Sequence, residues 1–175
     1  MKWFVTSTVG PQSLLTGVFS AGWSTAPNQP EEYGPHWEGF GKRYGIRLTG
    51  IATGNVMEGG LGAIWGEDPR YFRAPHESFK GRIRNVMKYT IVAKNRNGDD
   101  RLAYARLIGI PAGNFASNAW RADSASGAPD AAYRSGIDVL SRLGGNAFRE
   151  FWPDVRRKLF HRNRNDTQRR TATTP

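Results

Sequence analysis

Glycine recurs inside a stretch whose other residues favour helix, and it constrains the fold more than any other feature of the sequence. Over residues 37–65 small residues return to roughly one face, among them Gly41, Gly45 and Gly54. A glycine inside a helix costs about 0.5–1 kcal/mol relative to alanine, so several of them require a compensating gain. Close helix–helix packing through small residues supplies that gain. The sequence therefore predicts one long helix over 37–65, with a break into two helices near residue 60 as the alternative.

Part of this stretch is repeated later in the chain. Arg-Leu-Thr-Gly-Ile-Ala-Thr-Gly-Asn at 47–55 returns as Arg-Leu-Ile-Gly-Ile-Pro-Ala-Gly-Asn at 106–114, with six of nine positions identical. An Asn buried among small residues can hydrogen-bond across a helix interface and fix its register. Chance similarity between two glycine-rich helices is the alternative. The predicted helix-packing residues are Gly41, Gly45, Gly54, Asn55, Gly109, Gly113 and Asn114.

Basic and apolar residues alternate over residues 76–94. Phe79, Ile83 and Val86 or Met87 fall on one helical stripe, and cationic residues flank it. This pattern predicts an amphipathic helix whose long basic side chains extend toward solvent. The residues predicted to contact anionic lipid or phosphate are Lys80, Arg82, Arg84 and Lys88.

The next segment allows two interpretations. A helix over 101–120 is predicted, with Asp99 or Asp100 as its N-cap. The Asn-Gly pair before it also favours a hairpin, in which residues 89–93 pair with residues 102–106 as strands. The helix is the preferred prediction and the hairpin is the alternative.

Two more helices are predicted in the C-terminal half. One extends over residues 130–151, and its apolar residues include Tyr133 and Ile137. Because proline inside a helix removes a hydrogen bond, Pro153 is predicted to begin a new helix at its first position. Together with a short helix after Pro11, the chain is predicted to be mainly α, a single-domain bundle of four to five helices with Gly/Ala-rich packing faces.

Length and charge suggest how the chain is divided. Its 175 residues suit one domain. Residues 155–175 hold seven Lys or Arg and one Asp, so six of the ten net positive charges lie there. The prediction is a helical domain over 1–162 and a disordered basic tail over 163–175. No apolar run approaches the ~18–20 residues that span a bilayer. The mean hydropathy of −0.59 favours peripheral membrane association.

Two motifs share aromatic, proline, carboxylate and arginine residues. They are Glu-Asp-Pro-Arg-Tyr-Phe-Arg at 67–73 and Phe-Trp-Pro-Asp-Val-Arg-Arg at 151–157. Each Asp can pair with an Arg of its own motif or of the other one. We favour a structural role, in which the pairs lock helix ends together. The alternative is a polar binding site, whose candidate residues are Trp65, Asp68, Arg70, Tyr71, Arg73, Trp152, Asp154 and Arg156.

Evidence for catalysis is weak. The chain has no cysteine, which excludes disulfides, cysteine-based zinc sites and thiol nucleophiles. Its three histidines lack the spacing of a helical metal site, so no metal and no cofactor are predicted. The adjacent carboxylates Glu67 and Asp68 could do acid–base work in a cleft, which keeps a hydrolase as an alternative. No small-molecule substrate is identified.

With these two motifs, the sequence resembles a group of uncharacterised proteins of soil bacteria, mainly acidobacteria. The phrase Tyr-Gly-Pro-His-Trp-Glu-Gly-Phe-Gly-Lys-Arg-Tyr-Gly at 33–45 and Gly-Asn-Phe at 113–115 extend the likeness over most of residues 3–161. The resemblance implies export and a place in the bacterial cell envelope, periplasmic or associated with the outer membrane. It implies no activity. Polar residues interrupt the apolar start of the chain too soon for a signal peptide, so export would need a signal upstream of residue 1.

These observations predict a non-enzymatic protein of the cell envelope that associates with membranes or with itself. Its expected partners are an anionic membrane surface or a second copy of the chain. The alternative partner is nucleic acid, because basic residues interleave with aromatic ones.

Overall fold

The computed structural model describes the backbone of residues 2–171 and the side chains of residues 3–159. Over these residues the chain is mainly helical, which confirms the predicted fold class. Five helices have thirteen or more residues, α1 is shorter, and two three-residue strands form an antiparallel pair. The elements are α1 (Lys2–Val9), α2 (Pro11–Thr25), α3 (His36–Trp65), α4 (Phe79–Ile91), β1 (Val92–Lys94), β2 (Asp100–Leu102), α5 (Tyr104–Ser117) and α6 (Ala128–Thr171).

The chain forms two compact units. The first unit combines Met1–Arg70 with Ile91–Leu140, and so holds α1 to α3, both strands, α5 and the start of α6. The second unit combines Tyr71–Thr90 with Ser141–Pro175, and so holds most of α4 and the remainder of α6. Each unit has its own interior.

In the first unit, α3 and α5 approach each other closely through glycine. A Cβ added at Gly109 would lie 2.9 Å from the backbone nitrogen of Glu58, and one at Gly113 would lie 2.7 Å from the Cα of Gly54. Backbone atoms cannot move aside cheaply, so both positions require glycine. The two copies of the sequence repeat therefore face each other, and their predicted glycines form the contact.

The close packing does not extend along all of α3. A Cβ added at Gly41, Gly45 or Gly54 would meet no atom within 4 Å. Gly54 takes part in the contact only through its backbone, which lies against Gly113, whereas Gly41 and Gly45 face open space. The helix also continues unbroken through Gly59 and Gly60, so the predicted alternative of two helices is wrong. Glycine content alone did not distinguish a packed face from an open one.

The predicted asparagines form hydrogen bonds to two different helices. Asn55 donates from Nδ2 to Oγ1 of Thr8 in α1 at 3.0 Å. Asn114, which is buried, donates from Nδ2 to Oδ2 of Asp138 in α6 at 2.7 Å. Both side chains thus fix contacts of the repeat helices with neighbouring helices.

A buried arginine anchors the loop that precedes α3. The guanidinium group of Arg43 donates to the carbonyl oxygens of Gln29, Pro30 and Gly34 at 2.7–3.0 Å. It also lies over the ring of Tyr33, with 5.6 Å between the Arg43 Cζ atom and the ring centroid. Burial of the charge is compensated by these acceptors, so the loop conformation and the start of α3 depend on one side chain.

The start of α5 differs from the prediction. The helix begins at Tyr104, and neither Asp99 nor Asp100 caps it, because Asp100 belongs to β2. Instead the carboxylate of Glu67 accepts hydrogen bonds from the backbone N–H groups of Tyr104 (3.1 Å) and Ala105 (3.0 Å). A negative charge at the N-terminal end of a helix is favourable, and here it comes from a distant segment of the chain.

The hairpin alternative was partly right. Strands β1 and β2 pair around the Asn-Gly turn, but they are short and in another register, with Val92 opposite Leu102. The helix before the turn ends at Ile91, so the predicted pairing of residues 89–93 with 102–106 is wrong. The turn sequence selects a hairpin, and the helices on both sides limit its length.

The sequence predicted that Pro153 begins a new helix. Instead, Pro153 lies inside α6. It lacks the N–H that would bond the carbonyl of Arg149. The neighbouring carbonyl of Glu150 accepts hydrogen bonds from Arg73 at 2.9 Å and from Arg82 at 2.6 Å. Guanidinium donors from outside the helix therefore bind the carbonyl next to the one that Pro153 cannot bond.

The backbone of α6 continues to Thr171 and so includes much of the predicted tail over 163–175. Residues 172–175, and all side chains from residue 160 onward, lie outside the described residues.

We expect Gly113→Ala to lower the free energy of unfolding by about 1–3 kcal/mol, because the added methyl group meets the backbone of α3. Gly41→Ala is the matched control. It adds the same group to the same kind of helix in open space and should raise the free energy by about 0.5–1 kcal/mol. Urea unfolding of both variants measures the difference, and equal effects would contradict the packing described here.

Candidate functional site

The interior of this protein is polar. Among the described side chains, the largest that are fully buried belong to Glu150, Asn146 and Ser117. The charged residues Arg43, Glu58 and Arg106 are also buried, while most buried apolar residues are alanines. Polar groups in such an interior need partners, so its geometry is set by hydrogen bonds and ion pairs.

The interior of the second unit is organised around the carboxylate of Glu150, which is 0% exposed. One carboxylate oxygen accepts from Nε of Arg82 at 2.8 Å. The other accepts from the hydroxyl of Tyr71 at 2.7 Å and from the backbone N–H of Ala74 at 3.3 Å. Asn85 in turn donates to the Tyr71 hydroxyl at 3.0 Å. Three sequence-distant segments thus meet at one carboxylate.

Asp154 extends this network by one turn of α6. Its carboxylate lies 2.6 Å from a guanidinium nitrogen of Arg82 and 2.8 Å from one of Arg157. The guanidinium group of Arg82 also lies over the ring of Phe151, 4.5 Å from the centroid. Arg82 is therefore held by two carboxylates and an aromatic ring, and its side chain is only 13% exposed. We had expected Arg82 to contact lipid or phosphate, and that prediction is wrong.

This network alters the protonation of its members. Burial raises the pKa of Glu150, but hydrogen bonds from Tyr71, Arg82 and Ala74 outweigh it, so the carboxyl titrates below its ordinary value. The hydrogen bond from Arg82 lowers the pKa of Asp154. Burial, and then the bond to Glu150, raise the pKa of Tyr71 well above its ordinary range. Near neutral pH the arrangement is fixed: two carboxylates accept and the Tyr71 hydroxyl donates.

The structure brings together some of the candidate residues of the 67–73 motif and of the 151–157 motif. Tyr71, Arg73 and Asp154 all belong to the second unit and join the Glu150 network. Trp152 stacks on Phe148, with 5.0 Å between the ring centroids. Arg156 is exposed on α6. The contacts of Tyr71, Arg73 and Asp154 agree with the preferred structural role of the motifs, because they tie helix α6 to α4 and to the segment before it.

The other candidates belong to the first unit. Asp68 pairs within its own motif, through hydrogen bonds of 2.5–2.9 Å from the Arg70 guanidinium group. The backbone N–H of Asp68 donates to the carbonyl of Lys94 at 2.8 Å, and Trp65 ends α3 with its ring exposed. Glu67 caps α5 as described. Both carboxylates proposed for a hydrolase are therefore engaged in structural hydrogen bonds.

Charged residues also fill the interface between α3 and α5. Glu58 and Arg106 form a buried ion pair, with 3.0 Å between Oε1 and Nε and side-chain exposures of 4% and 3%. Arg106 donates further to the carbonyl oxygens of Val92 (3.3 Å) and Pro69 (3.4 Å). The pairing of these two residues was not predicted from the sequence. Arg106 appeared only as the first residue of the repeat.

Apolar side chains, by contrast, face outward along α4. Phe79, Ile83, Met87 and Ile91 lie four residues apart and are 68%, 40%, 60% and 47% exposed. Residues at i and i+4 share one face of a helix, so these four form a continuous apolar stripe. A cationic stripe lies next to it, and its exposed members are Lys80, Arg84 and Lys88. We call the two together the α4 face.

Similar outward apolar stripes occur on two other helices. On α6 they include Phe148, Trp152, Val155 and Leu159, and on α2 they include Leu15, Val18, Phe19 and Trp23. Residues 3–30 contain no charged residue at all, so the stripe on α2 has no cationic flank. Exposed apolar stripes of this length are unusual for a protein surrounded by water and indicate contact with a partner or a lipid surface.

Glu150 and Glu58 were not identified from the sequence, and Asn146 was noticed only as part of a weak third copy of the repeat, Gly145-Asn146. A signal was available on α6, where Asn146, Glu150 and Asp154 recur every fourth residue and so share one face. A polar stripe of this kind normally predicts the solvent side of a helix. Here it is turned inward, and the apolar stripe of the same helix is exposed.

No metal centre is evident: in the part of the chain that the structure describes, no three His, Asp or Glu residues are grouped so that they could hold an ion. Over the same residues, no helix has the length and apolar character needed to cross a membrane. Comparisons with protein-family models, with curated proteins and with solved structures find no match to this chain.

We expect Glu150→Gln to destabilise the protein by roughly 3 kcal/mol, because it removes one buried charge and leaves the Arg82 guanidinium group under-compensated. The matched control is Glu38→Gln, which breaks the exposed pair of Glu38 with Lys42 and should cost less than about 1 kcal/mol. Chemical denaturation followed by circular dichroism compares them. Equal losses would mean that Glu150 is not central to the second unit.

Stability should also fall in acid because of Glu150. Its pKa in the folded protein lies below the value of about 4.3 in an unfolded chain, so the stabilisation is fully present above that pH. It is lost as the pH falls further, through the folded pKa. Unfolding at a series of pH values between 2 and 7 should show a steep acid limb in the natural protein and a flatter one in Glu150→Gln. Identical acid limbs would contradict the assignment.

Proposed function

We propose that this chain is a non-enzymatic protein of the bacterial cell envelope that binds an anionic membrane surface peripherally. The observation that carries the proposal is the α4 face, an exposed apolar stripe beside an exposed cationic stripe on one helix. A helix of this kind lies in the plane of the interface, with its apolar side chains among the lipid chains and its cations among the head groups.

The charges and the apolar area act together in this proposal. Each Lys or Arg close to an anionic membrane contributes about 1 kcal/mol, so Lys80, Arg84 and Lys88 supply roughly two orders of magnitude in affinity. Insertion of Phe79, Ile83 and Met87 adds the transfer of their exposed apolar surface out of water. Neither part alone would hold a protein firmly at a membrane, which fits a reversible, salt-sensitive association.

The polar interior supports the same proposal. Charged side chains face the inside of each unit and pair with one another, while apolar stripes face outward, where a lipid surface can cover them. Glu150 with Arg82, and Glu58 with Arg106, follow that distribution within their units. The location in the cell envelope, periplasmic or outer-membrane associated, is inferred from the resemblance to exported acidobacterial proteins.

Self-association is the second candidate, and the stripe on α2 favours it. Phe19 and Trp23 are stacked on each other, with 6.3 Å between ring centroids, and both are more than 70% exposed. With no charge in residues 3–30, two such stripes can meet without burying an ion. This contact would be insensitive to salt, whereas binding by the α4 face would weaken as salt rises.

Nucleic acid remains an alternative partner for the same cations, because phosphate groups attract Lys and Arg wherever they occur. The apolar stripe beside these cations favours lipid, since a nucleic-acid backbone offers no apolar surface. For a hydrolase, Glu67 would first have to release the N–H groups of Tyr104 and Ala105. These observations rank the membrane surface first.

The test is co-sedimentation with vesicles of phosphatidylglycerol and phosphatidylcholine, and with vesicles of phosphatidylcholine alone, at low and high salt. We expect binding to the anionic vesicles at low salt. The triple variant Lys80→Gln, Arg84→Gln and Lys88→Gln should lose tenfold or more of this affinity. The double variant Ile83→Glu and Met87→Glu should also lose it, because charge on the apolar stripe opposes insertion.

The matched control for charge is the triple variant Lys42→Gln, Arg101→Gln and Lys158→Gln, which removes three exposed charges from other elements. It should bind nearly as well as the natural protein. If both triple variants lose affinity equally, net charge and not the α4 face is responsible. If the natural protein binds neither kind of vesicle, the proposal is wrong, and a gel shift with nucleic acid is the next measurement.

A further inference from the structure

The first unit contains a second cluster of charged residues, separate from the α4 face and unrelated to the two motifs. It brings together Arg47 of α3, Arg121 after α5, and Arg134 and Asp138 of α6. All three guanidinium groups interact electrostatically with the carboxylate of Asp138 and lower its pKa. The cluster thus carries an excess of two positive charges, and its three arginines are partly buried while Asp138 is exposed.

Hydrogen bonds from the protein hold each member in position. Asp138 accepts from Nδ2 of Asn114 at 2.7 Å. Arg121 donates from Nε to the hydroxyl of the fully buried Ser117 at 3.0 Å, and one of its terminal nitrogens lies 3.3 Å from the position of a Cβ added at Gly50. Arg134 donates to the carbonyl oxygens of Ala125 at 2.7 Å and of Asn114 at 3.3 Å, and to Oδ1 of Asn118. The side chains are therefore positioned before any ligand arrives.

The guanidinium donors are far from fully used. Arg47 has a single long hydrogen bond, 3.4 Å to the carbonyl of Ser13. Nε of Arg134 is buried with no acceptor among the described residues. Within that same part of the chain, no arginine of this cluster forms a direct ion pair with a carboxylate, including that of Asp138. A guanidinium group carries five N–H donors, so most donors of Arg47 and Arg121 are available to an added acceptor, whereas both terminal nitrogens of Arg134 already donate within the protein.

Electrostatics agree with this geometry. Desolvation lowers the pKa of both Arg47 and Arg121, and repulsion from Arg134 lowers that of Arg121 further. Asp138 is exposed. Desolvation nevertheless raises the pKa of its carboxyl, against the hydrogen bond from Asn114 and the attraction of the three arginines. An anion placed among the guanidinium groups would relieve their mutual repulsion.

We propose that Arg47, Arg121, Arg134 and Asp138 form a binding site for a phosphate-class oxyanion, either inorganic phosphate or a phosphate monoester. Planar guanidinium groups suit the paired oxygens of phosphate, and the positive charge of Arg134 adds to the attraction exerted by Arg47 and Arg121. The carboxylate gives selectivity, because a singly protonated phosphate can donate its hydrogen to Asp138. Sulfate has no hydrogen to donate near neutral pH and would be repelled.

The proposal is tested by isothermal titration of the natural protein with inorganic phosphate, and with sulfate at the same ionic strength. We expect saturable binding of one phosphate per chain and weaker binding of sulfate. Arg47→Gln and Arg121→Gln should each weaken phosphate binding roughly tenfold or more. Arg101→Gln removes an exposed charge from β2 and is the matched control, with unchanged affinity expected.

The variant Asp138→Asn tests the selectivity of the site, which would not change if Asp138 had only a structural role. The amide no longer repels sulfate, so the preference for phosphate over sulfate should shrink while the fold, checked by circular dichroism, is retained. Absence of saturable phosphate binding by the natural, folded protein overturns the proposal. It is also overturned if Arg121→Gln binds phosphate as tightly as Arg101→Gln does.

A second experiment separates a soluble source of phosphate from a lipid head group. Vesicles containing phosphatidic acid are added to the triple variant Lys80→Gln, Arg84→Gln and Lys88→Gln, in which the α4 face no longer binds. Retention on these vesicles that is lost on adding Arg121→Gln supports a head group as ligand. Free-phosphate binding without vesicle retention supports a soluble ligand. The site is independent of the α4 face, so failure of vesicle binding by the natural protein would leave the titration with phosphate unaffected.

Discussion

Charges buried in the interior have to be compensated within the protein, and the rest of the structure depends on how this is done. In the second unit, the carboxylate of Glu150 draws in Arg82, Tyr71 and the backbone of Ala74. In the first unit, Glu58 and Arg106 do the same between α3 and α5. Buried ion pairs add little net stability compared with apolar packing, but removal of one partner is costly. The main effect of these ion pairs is therefore to determine which segments pack together, and their contribution to the free energy of folding is small.

The same constraint explains the unusual division of side chains. With few large apolar residues inside, the apolar surface that the chain does carry lies outside, on α2, α4 and α6. Glycine permits the close contact of α3 with α5, because Gly109 and Gly113 let a buried ion pair and two helix backbones share a narrow space. The polar interior and the exposed apolar stripes are thus two aspects of one arrangement. Each proposal names an external partner for this arrangement: a lipid surface for the exposed apolar stripe of α4, and phosphate for the cluster of arginines.

Sequence reasoning located most helices but assigned several of their faces incorrectly. The small-residue pattern predicted α3 and its contact with Gly109 and Gly113, because close approach leaves a compositional trace. It failed at Gly41 and Gly45, where the same residue type faces open space. Amphipathic spacing shows that a helix has two faces, but it does not show which medium each face meets. For this reason Glu150 was missed, and Arg82 was placed on the surface although it is held by two carboxylates. Ion pairs between residues 68 positions apart leave no local signal.

The cap that Glu67 provides for α5 affects how the first unit opens and closes. The N–H groups of Tyr104 and Ala105 are protected by a carboxylate just beyond the end of α3, not by a residue next to them in the sequence. Fraying of the first turn of α5 therefore requires the segment after α3 to move away. In amide hydrogen exchange, these two protons should follow the slow opening of the α3–α5 pair and not the rapid fluctuations typical of a helix end. The two helix ends would then behave as one cooperative element, although 37 residues separate Glu67 from Tyr104.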